Sequence, residues 1–196
     1  MKQVLYCLMF ILMHCCINAQ TYHIREGSIN DTLAIFTLWQ AVTMKSDGLA
    51  AMGPDEVKQE KVATIVETAV KSKSIFIAED ENKNLIGAIW GQKYGLRSFA
   101  HCLFNAHFFV HPEYQDKGVG KKLMQYALDY IKQSRPEILR VEFGVNESNQ
   151  RAIHLYSELG CVIEGRQEQK IAKSDGSLEA TLLMVWFNPN WKPCKS

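Results

Sequence analysis

The sequence lacks an excess of charge of either sign. Its 196 residues include 22 Lys and Arg against 21 Asp and Glu. Proteins that bind nucleic acids usually present a broad basic face, so this balance argues against a nucleic-acid partner. Any site for an anion must therefore be local.

The cysteines lack the spacing of a metal site or a disulfide framework. Half of the six lie within residues 1–16, and the others are Cys102, Cys161 and Cys194. An odd number without a CxxC pair fits neither a zinc site nor a set of disulfides. We therefore expect no metal.

The apolar run near the N-terminus is too short to cross a bilayer as a helix. It extends from Val4 to Met13, follows Lys2, and is separated by a few residues from Ala19-Gln20. A positive start, a short apolar segment and a small residue before a polar one are typical of a secretory signal peptide. We predict a leader over residues 1–19, a single domain over residues 20–196 and no membrane insertion beyond the leader. A start codon assigned too far upstream is the alternative.

Hydrophobic periodicity after the leader predicts the element order βααβββαβαββ, which favours an α/β domain with a mixed sheet. The predicted helices run from Asp31 to Lys45, onward from Pro54, from Gly118 to Ser134 and from Asn149 to Leu159. The predicted strands begin at Tyr22, Ser74, Leu85, Leu103, Ile138, Cys161 and Glu179.

An unusual set of residues opens the third predicted helix. Gly118 and Gly120 stand at its start, beside Lys117, Lys121 and Lys122. A helix N-terminus carries partial positive charge, so three lysines there are repelled unless an anion is present. Glycine lets backbone N–H groups approach such an anion closely, which predicts a phosphate cradle. The alternative is a glycine-containing loop whose lysines point into water, since an isolated GxG is a weak motif.

Two common nucleotide motifs do not fit these residues. A P-loop would need Gly at 115 and Ser or Thr at 122, where the chain has Gln115 and Lys122. A dinucleotide fingerprint would need a third glycine where Leu123 stands. Both motifs are excluded.

Two segments of the chain resemble the GNAT-type N-acetyltransferases. The segment from Gln115 to Gly120 resembles their Q/R-x-x-G-x-G/A signature, and the segment from Asn149 to Gly160 is similar to their N-x-x-A-x-x-x-Y-x-x-x-G-F motif. Cys161 replaces the usual aromatic residue. The resemblance covers residues 22–187. It implies a single-domain GNAT-like fold with a mixed, mostly antiparallel twisted sheet flanked by helices.

The resemblance implies that the missing anion is the diphosphate of acetyl-coenzyme A, as co-substrate. The residues that it assigns to the coenzyme are Phe108, Phe109, Val110, Gln115, Asp116, Lys117, Gly118, Val119, Gly120, Lys121 and Asn149. In this assignment the amides from Gln115 to Gly120 hold the diphosphate, and the backbone of Phe108 to Val110 pairs with the pantetheine arm. We expect Gly120→Asp to abolish coenzyme binding without affecting the fold.

The resemblance assigns Tyr156 as the proton donor to the leaving thiolate. Asn149 and Tyr156 are seven residues apart and so lie on one face of a helix.

The residue that accepts the proton of the amine is less evident. The family's usual glutamate is replaced by Gly144. Glu142 lies on the same strand face, about 7 Å away, and is the predicted base. His107 is a second candidate because histidine titrates near neutrality; a core tyrosine and a solvent-facing glutamate are the simpler alternatives.

The predicted reaction is direct acetyl transfer to a primary amine of a small molecule or peptide. The loop from Ser46 to Gly53 and the hairpin from Arg166 to Gly176 are the expected acceptor contacts, as the resemblance implies. The alternative function is a non-catalytic acyl-coenzyme A-binding or sensing module. A homodimer is possible. The leader indicates export, whereas acetyl-coenzyme A chemistry indicates the cytoplasm.

Overall fold

A computed structural model describes residues 21–45, 52–173 and 175–193. The predicted leader over residues 1–19 and most of the predicted acceptor loop, residues 46–51, lie outside the described residues. So does Cys194. Among the helices of the described ranges, none combines the length and the apolar character needed to cross a membrane.

The described ranges contain seven strands and four helices in the predicted order βααβββαβαββ. The strands are β1 (Tyr22–Glu26), β2 (Ile75–Asp80), β3 (Leu85–Gln92), β4 (Cys102–Val110), β5 (Arg140–Asn146), β6 (Val162–Ala172) and β7 (Leu178–Phe187). The helices are α1 (Thr32–Met44), α2 (Gln59–Lys71), α3 (Val119–Ser134) and α4 (Gln150–Glu158).

The strands form one sheet in the spatial order β1-β2-β3-β4-β5-β7-β6. Every neighbouring pair is antiparallel except β4 and β5, which are parallel. Helix α3 connects these two strands, as a parallel connection requires. The predicted mixed, mostly antiparallel sheet flanked by helices is therefore confirmed.

Each face of the sheet has its own apolar core. Leu123 and Met124 of α3 pack with Phe143 and Met184 on one face. The buried residues of α1 and α2 pack on the other face, against Ile77 and its neighbours. Successive side chains of a strand point to opposite faces, so β4 contributes to both cores.

Helix α2 begins later than its proline suggests. The prediction that Pro54 opens this helix is wrong, because α2 starts at Gln59. Residues 53–56 form a turn in which Glu56 N–H donates to Gly53 O (3.1 Å) and Gly53 N–H donates to Glu56 Oε2 (2.7 Å). Proline is as favourable at the second position of such a turn as in the first turn of a helix.

A close contact between α3 and β3 fixes the position of α3. A Cβ atom added at Gly87 would lie 3.1 Å from Leu123 Cδ2 and 3.3 Å from the backbone oxygen of Phe109. Only glycine leaves room for Leu123 at this depth. The start of α3 is therefore held beside the end of β4.

We predict that Gly87→Val lowers the free energy of unfolding by about 1–3 kcal/mol, because the added methyls overlap Leu123 and a backbone oxygen. Thermal unfolding checks this, at roughly 2–4 °C per kcal/mol for a chain of this size. Gly165→Val is the matched control, since a Cβ atom at Gly165 of β6 would meet only Leu183 Cδ1 at 3.7 Å. Equal melting temperatures for the two variants would contradict the close-packing argument.

Candidate functional site

A cavity of about 140 Å³ lies where β4 and β5 separate. The two strands pair only at Cys102–Arg140 and Leu103–Val141. Beyond these pairs the cavity is lined by residues 106–109 of β4, residues 144–146 of β5, and Trp39, Met52, Asn149 and Tyr156. The parting of β4 from its neighbour, which the coenzyme assignment requires, is therefore present.

The backbone of β4 turns alternate peptide groups away from β3, toward the side of this gap. His111 N–H donates to Ile86 O (2.8 Å), and the same register pairs Phe109 with Ala88. Hydrogen-bonded and non-bonded pairs alternate in an antiparallel ladder. The peptide groups of Phe108 and Val110 therefore point away from β3, whereas those of Phe109 bond to β3, and its ring lines the cavity. Of the three predicted residues, Phe108 and Val110 are the ones able to pair with an extended ligand.

The loop before α3 forms a cradle of free amides. Asp116 (φ 59°) and Gly118 (φ 79°) adopt left-handed backbone conformations that turn the chain into the helix. Lys122 N–H makes the first helical bond, to Gly118 O (3.1 Å). Within the described part of the chain, the N–H groups of residues 116–121 make no backbone hydrogen bond of good length and angle. Consecutive free N–H groups at a helix N-terminus suit a diphosphate.

The three lysines at this helix start have partners on three different parts of the fold. Lys121 Nζ lies 3.3 Å from Glu158 Oε2 of α4. The ammonium groups of Lys117 and Lys122 lie 5.3 Å from the ring centres of Tyr114 and Tyr22, respectively. We therefore expect the backbone amides, rather than the lysine side chains, to be the main ligands of an anion here.

Arg151 joins α4 to the cradle. Its guanidinium donates to Gln115 Oε1 (2.9 Å) and lies 3.3 Å from Asp116 Oδ1. The Gln115 side chain in turn donates to Val110 O (3.1 Å). Sequence reasoning missed Arg151, although it stands two residues after Asn149 inside the second motif.

Gly120 has a packing role as well as a place in the cradle. A Cβ atom there would lie 3.1 Å from Phe108 Cζ and 3.4 Å from Val110 Cγ2. An Asp at position 120 would therefore crowd these side chains as well as add charge, so Gly120→Asp does not isolate the effect of charge. A Cβ atom at Gly118 would meet nothing within 4 Å, so position 118 is the better place to test the cradle.

Asn149 and Tyr156 both lie at the cavity, as their spacing predicts. Asn149 Oδ1 accepts from Ala152 N–H (3.1 Å), so this residue also caps α4. The Tyr156 ring stacks on Phe143, with the ring centres 5.0 Å apart. Burial, with a smaller contribution from Cys161, raises the pKa of Tyr156 above its ordinary value. The phenol therefore keeps its proton at neutral pH.

The structure brings one of the two candidate bases to the cavity. His107 lines it and stacks on Trp90, with the ring centres 5.3 Å apart. Burial, assisted by the charge of Lys61, lowers the pKa of His107 to about 4. Its ring is therefore neutral, and able to accept a proton, at pH 7.

Glu142 does not line the cavity. Its carboxylate lies 2.7 Å from Arg140 Nε, and Arg140 also bonds to Glu164. The reason is its place on β5, directly after the residues that still pair with β4. Gly144 and Asn146 are the residues of this strand face that border the cavity.

Groups that could hold a metal ion are not found among the residues the structure covers. Cys161 is buried, and burial raises the pKa of its thiol to about 12. This cysteine is therefore a packing residue in the core rather than a nucleophile.

Comparison with known proteins adds independent information. Residues 44–161 match the model of the acetyltransferase (GNAT) family. The chain is 25% identical over 118 residues to the L-amino acid N-acyltransferase MnaT of Escherichia coli, across 60% of this chain and 67% of that protein. It is 33% identical over 90 residues to the spermidine N(1)-acetyltransferase of Vibrio cholerae, across 46% of this chain and half of that protein.

A solved structure has the same fold. The phosphinothricin acetyltransferase of Sinorhizobium meliloti, solved in complex with AcCoA, superimposes with a TM-score of 0.77 at 17% identity. The match covers 90% of this chain and 95% of that one. At this level of identity the likeness shows the fold alone.

We predict that Gly118→Asp weakens binding of coenzyme A at least about tenfold relative to Gly118→Asn, because a fixed carboxylate at the cradle repels the diphosphate. Asn and Asp have the same shape and both tolerate the left-handed conformation, so the pair isolates charge from backbone strain. Isothermal titration calorimetry measures the two affinities. Equal affinities would contradict the cradle assignment.

Proposed function

Because the chain belongs to the acetyltransferase (GNAT) family and is an acetyl-coenzyme A-dependent acyltransferase, we propose that it moves the acetyl group directly to a primary amine of a small molecule or peptide. One observation carries the proposal. Phe108, whose peptide groups face the gap, and Tyr156 both line one cavity, and the amide cradle follows directly after β4.

The residues around the gap fit an extended coenzyme. In this proposal the amides of residues 116–121 hold the diphosphate, and the peptide groups of Phe108 and Val110 bond to the pantetheine arm as an added strand would. The Gln115 side chain now occupies Val110 O and would release it when the coenzyme binds. The thioester supplies the activated acetyl group.

The cavity favours an uncharged amine. Among the described residues, those that line it include neither Asp nor Glu. An ammonium group would lose its hydration there without a compensating charge, so burial lowers the pKa of the bound amine. The neutral form, which is the nucleophile, is the form that this surface accepts.

We assign proton acceptance from the amine to His107 rather than to Glu142. The nitrogen of the amine becomes strongly acidic only as it bonds to the carbonyl carbon of the thioester. A weak, uncharged base among the residues that line the cavity is therefore sufficient. His107 is such a base. The carboxylate of Glu142 is held by Arg140 outside the cavity and would reach the amine only through a water.

Tyr156 serves the leaving group. As the new C–N bond forms, the C–S bond breaks and the sulfur departs with the electron pair. The phenol stabilises the departing sulfur by donating a hydrogen bond and then its proton. The proton lost by the amine replaces the one that the phenol has given up, so no net proton is gained or lost. The products are the amide and the free thiol.

The names of the relatives support an amine acceptor. One is named for L-amino acids and the other for spermidine, and both kinds of molecule carry primary amines. The two kinds of substrate differ in the charged group that accompanies the amine. An amino acid carries a carboxylate, whereas spermidine carries further ammonium groups.

We predict that Tyr156→Phe lowers kcat by about a hundredfold, because the phenylalanine ring still stacks on Phe143 but has no proton to donate. Thiol release across a panel of amines measures kcat, and calorimetry should show coenzyme affinity within about twofold of wild type. An unchanged kcat would remove Tyr156 from the mechanism. Tight coenzyme binding without turnover of any amine by the wild type would indicate the non-catalytic module instead.

We predict that kcat/KM rises with pH between about 5.5 and 9.5, following the pKa of the amine rather than that of an enzyme group. His107 is already deprotonated above its pKa of about 4, so it adds no inflection in this range. Tyr156 stays protonated because its pKa is raised. Two amines of different pKa should give inflections that differ accordingly; a shared inflection near pH 6.5 would contradict this assignment.

A further inference from the structure

Lys61 of α2 stands beside the cavity. Lys61 Nζ lies 3.6 Å from Met52 Sδ, and Met52 is part of the cavity lining. Lys61 itself is exposed. Among the residues the structure describes, no carboxylate lies within ion-pairing distance of its ammonium group. With respect to the described ranges, a cation beside Met52 is therefore available to a ligand.

The wall next to Lys61 is apolar and aromatic. Trp39 is 3% exposed, and its ring lies 5.1 Å from that of Phe109 and 5.5 Å from that of His107. All three residues line the cavity together with Met52. Such a surface accepts an uncharged side chain of a ligand, and its described residues offer no carboxylate to a second ammonium group.

The charge of Lys61 acts on the interior of the cavity. It contributes, after burial, to the lowered pKa of His107. Lys61 contacts Met52, and Met52 and His107 line the same cavity. The geometry thus places an apolar wall, a base and a cation around one small volume.

We propose that Lys61 binds the carboxylate of an amino acid acceptor whose apolar side chain packs against Trp39 and Phe109. This inference rests on the proposed acetyl transfer and names its substrate class. A polyamine would bring its second ammonium group toward Lys61. A peptide N-terminus would present an amide in place of the nearby carboxylate, so the free amino acid fits best.

The test compares each amino acid with the amine that lacks only its carboxylate. L-Leucine is paired with 3-methylbutylamine, L-methionine with 3-(methylthio)propylamine and L-phenylalanine with 2-phenylethylamine, and spermidine completes the panel. We expect wild type to prefer at least one amino acid over its matched amine. Lys61→Met should lower kcat/KM for that amino acid about tenfold and leave the matched amine within about twofold.

Lys71→Met is the matched control. Lys71 lies at the other end of α2 and pairs with Glu67 on the surface (2.7 Å). This variant should behave as wild type with every substrate. Quenching of tryptophan fluorescence by the amino acid in the presence of coenzyme A provides a second readout, and Lys61→Met should weaken that binding to a similar extent.

The outcomes separate this inference from the function beneath it. Preference for the amines that lack a carboxylate, preference for spermidine, or equal amino acid kinetics in wild type and Lys61→Met would overturn the carboxylate site and leave acetyl transfer standing. Absence of turnover with every member of the panel, with coenzyme still bound, would overturn both.

Discussion

The separation of β4 from β5 is the constraint on which the whole site depends. In a continuous sheet the peptide groups of Phe108 and Val110 would bond to β5. Leaving such a group unpaired and buried costs about 1–3 kcal/mol. Side chains fill part of the space between the two strands, where Tyr156 stacks on Phe143. A ligand with amide groups along its length would offset the cost, as the proposed coenzyme site requires.

The cradle is useful only because α3 begins beside the end of β4. Two glycines at the contact between α3 and the sheet, one in β3 and one in α3, make that approach possible. Gly87 admits Leu123, and Gly120 admits Phe108. Gly118 differs from both, because its value lies in its left-handed backbone rather than in close packing. Glycines that look alike in one motif therefore serve different physical purposes.

The chain is nearly neutral, yet its charges are separated locally around the gap. The cradle offers free amides, and its Asp116 carboxylate is paired with Arg151. The cavity wall carries no charge among the described residues, and Lys61 stands at its rim. Glu142, the carboxylate closest along β5, is held by Arg140. This arrangement favours a neutral amine at the reacting centre and an anionic group beside it.

The sequence alone determined the order of elements, the helix start at Gly118, and the shared helix face of Asn149 and Tyr156. These features follow from backbone geometry over a few residues, and spacing records that geometry directly. Only the tertiary structure decided that Glu142 pairs with Arg140 and that Lys61 contacts Met52 at the edge of the cavity. Packing between distant segments decides where a strand separates from its neighbour and which side chains of separate elements meet. No local sequence pattern encodes that packing.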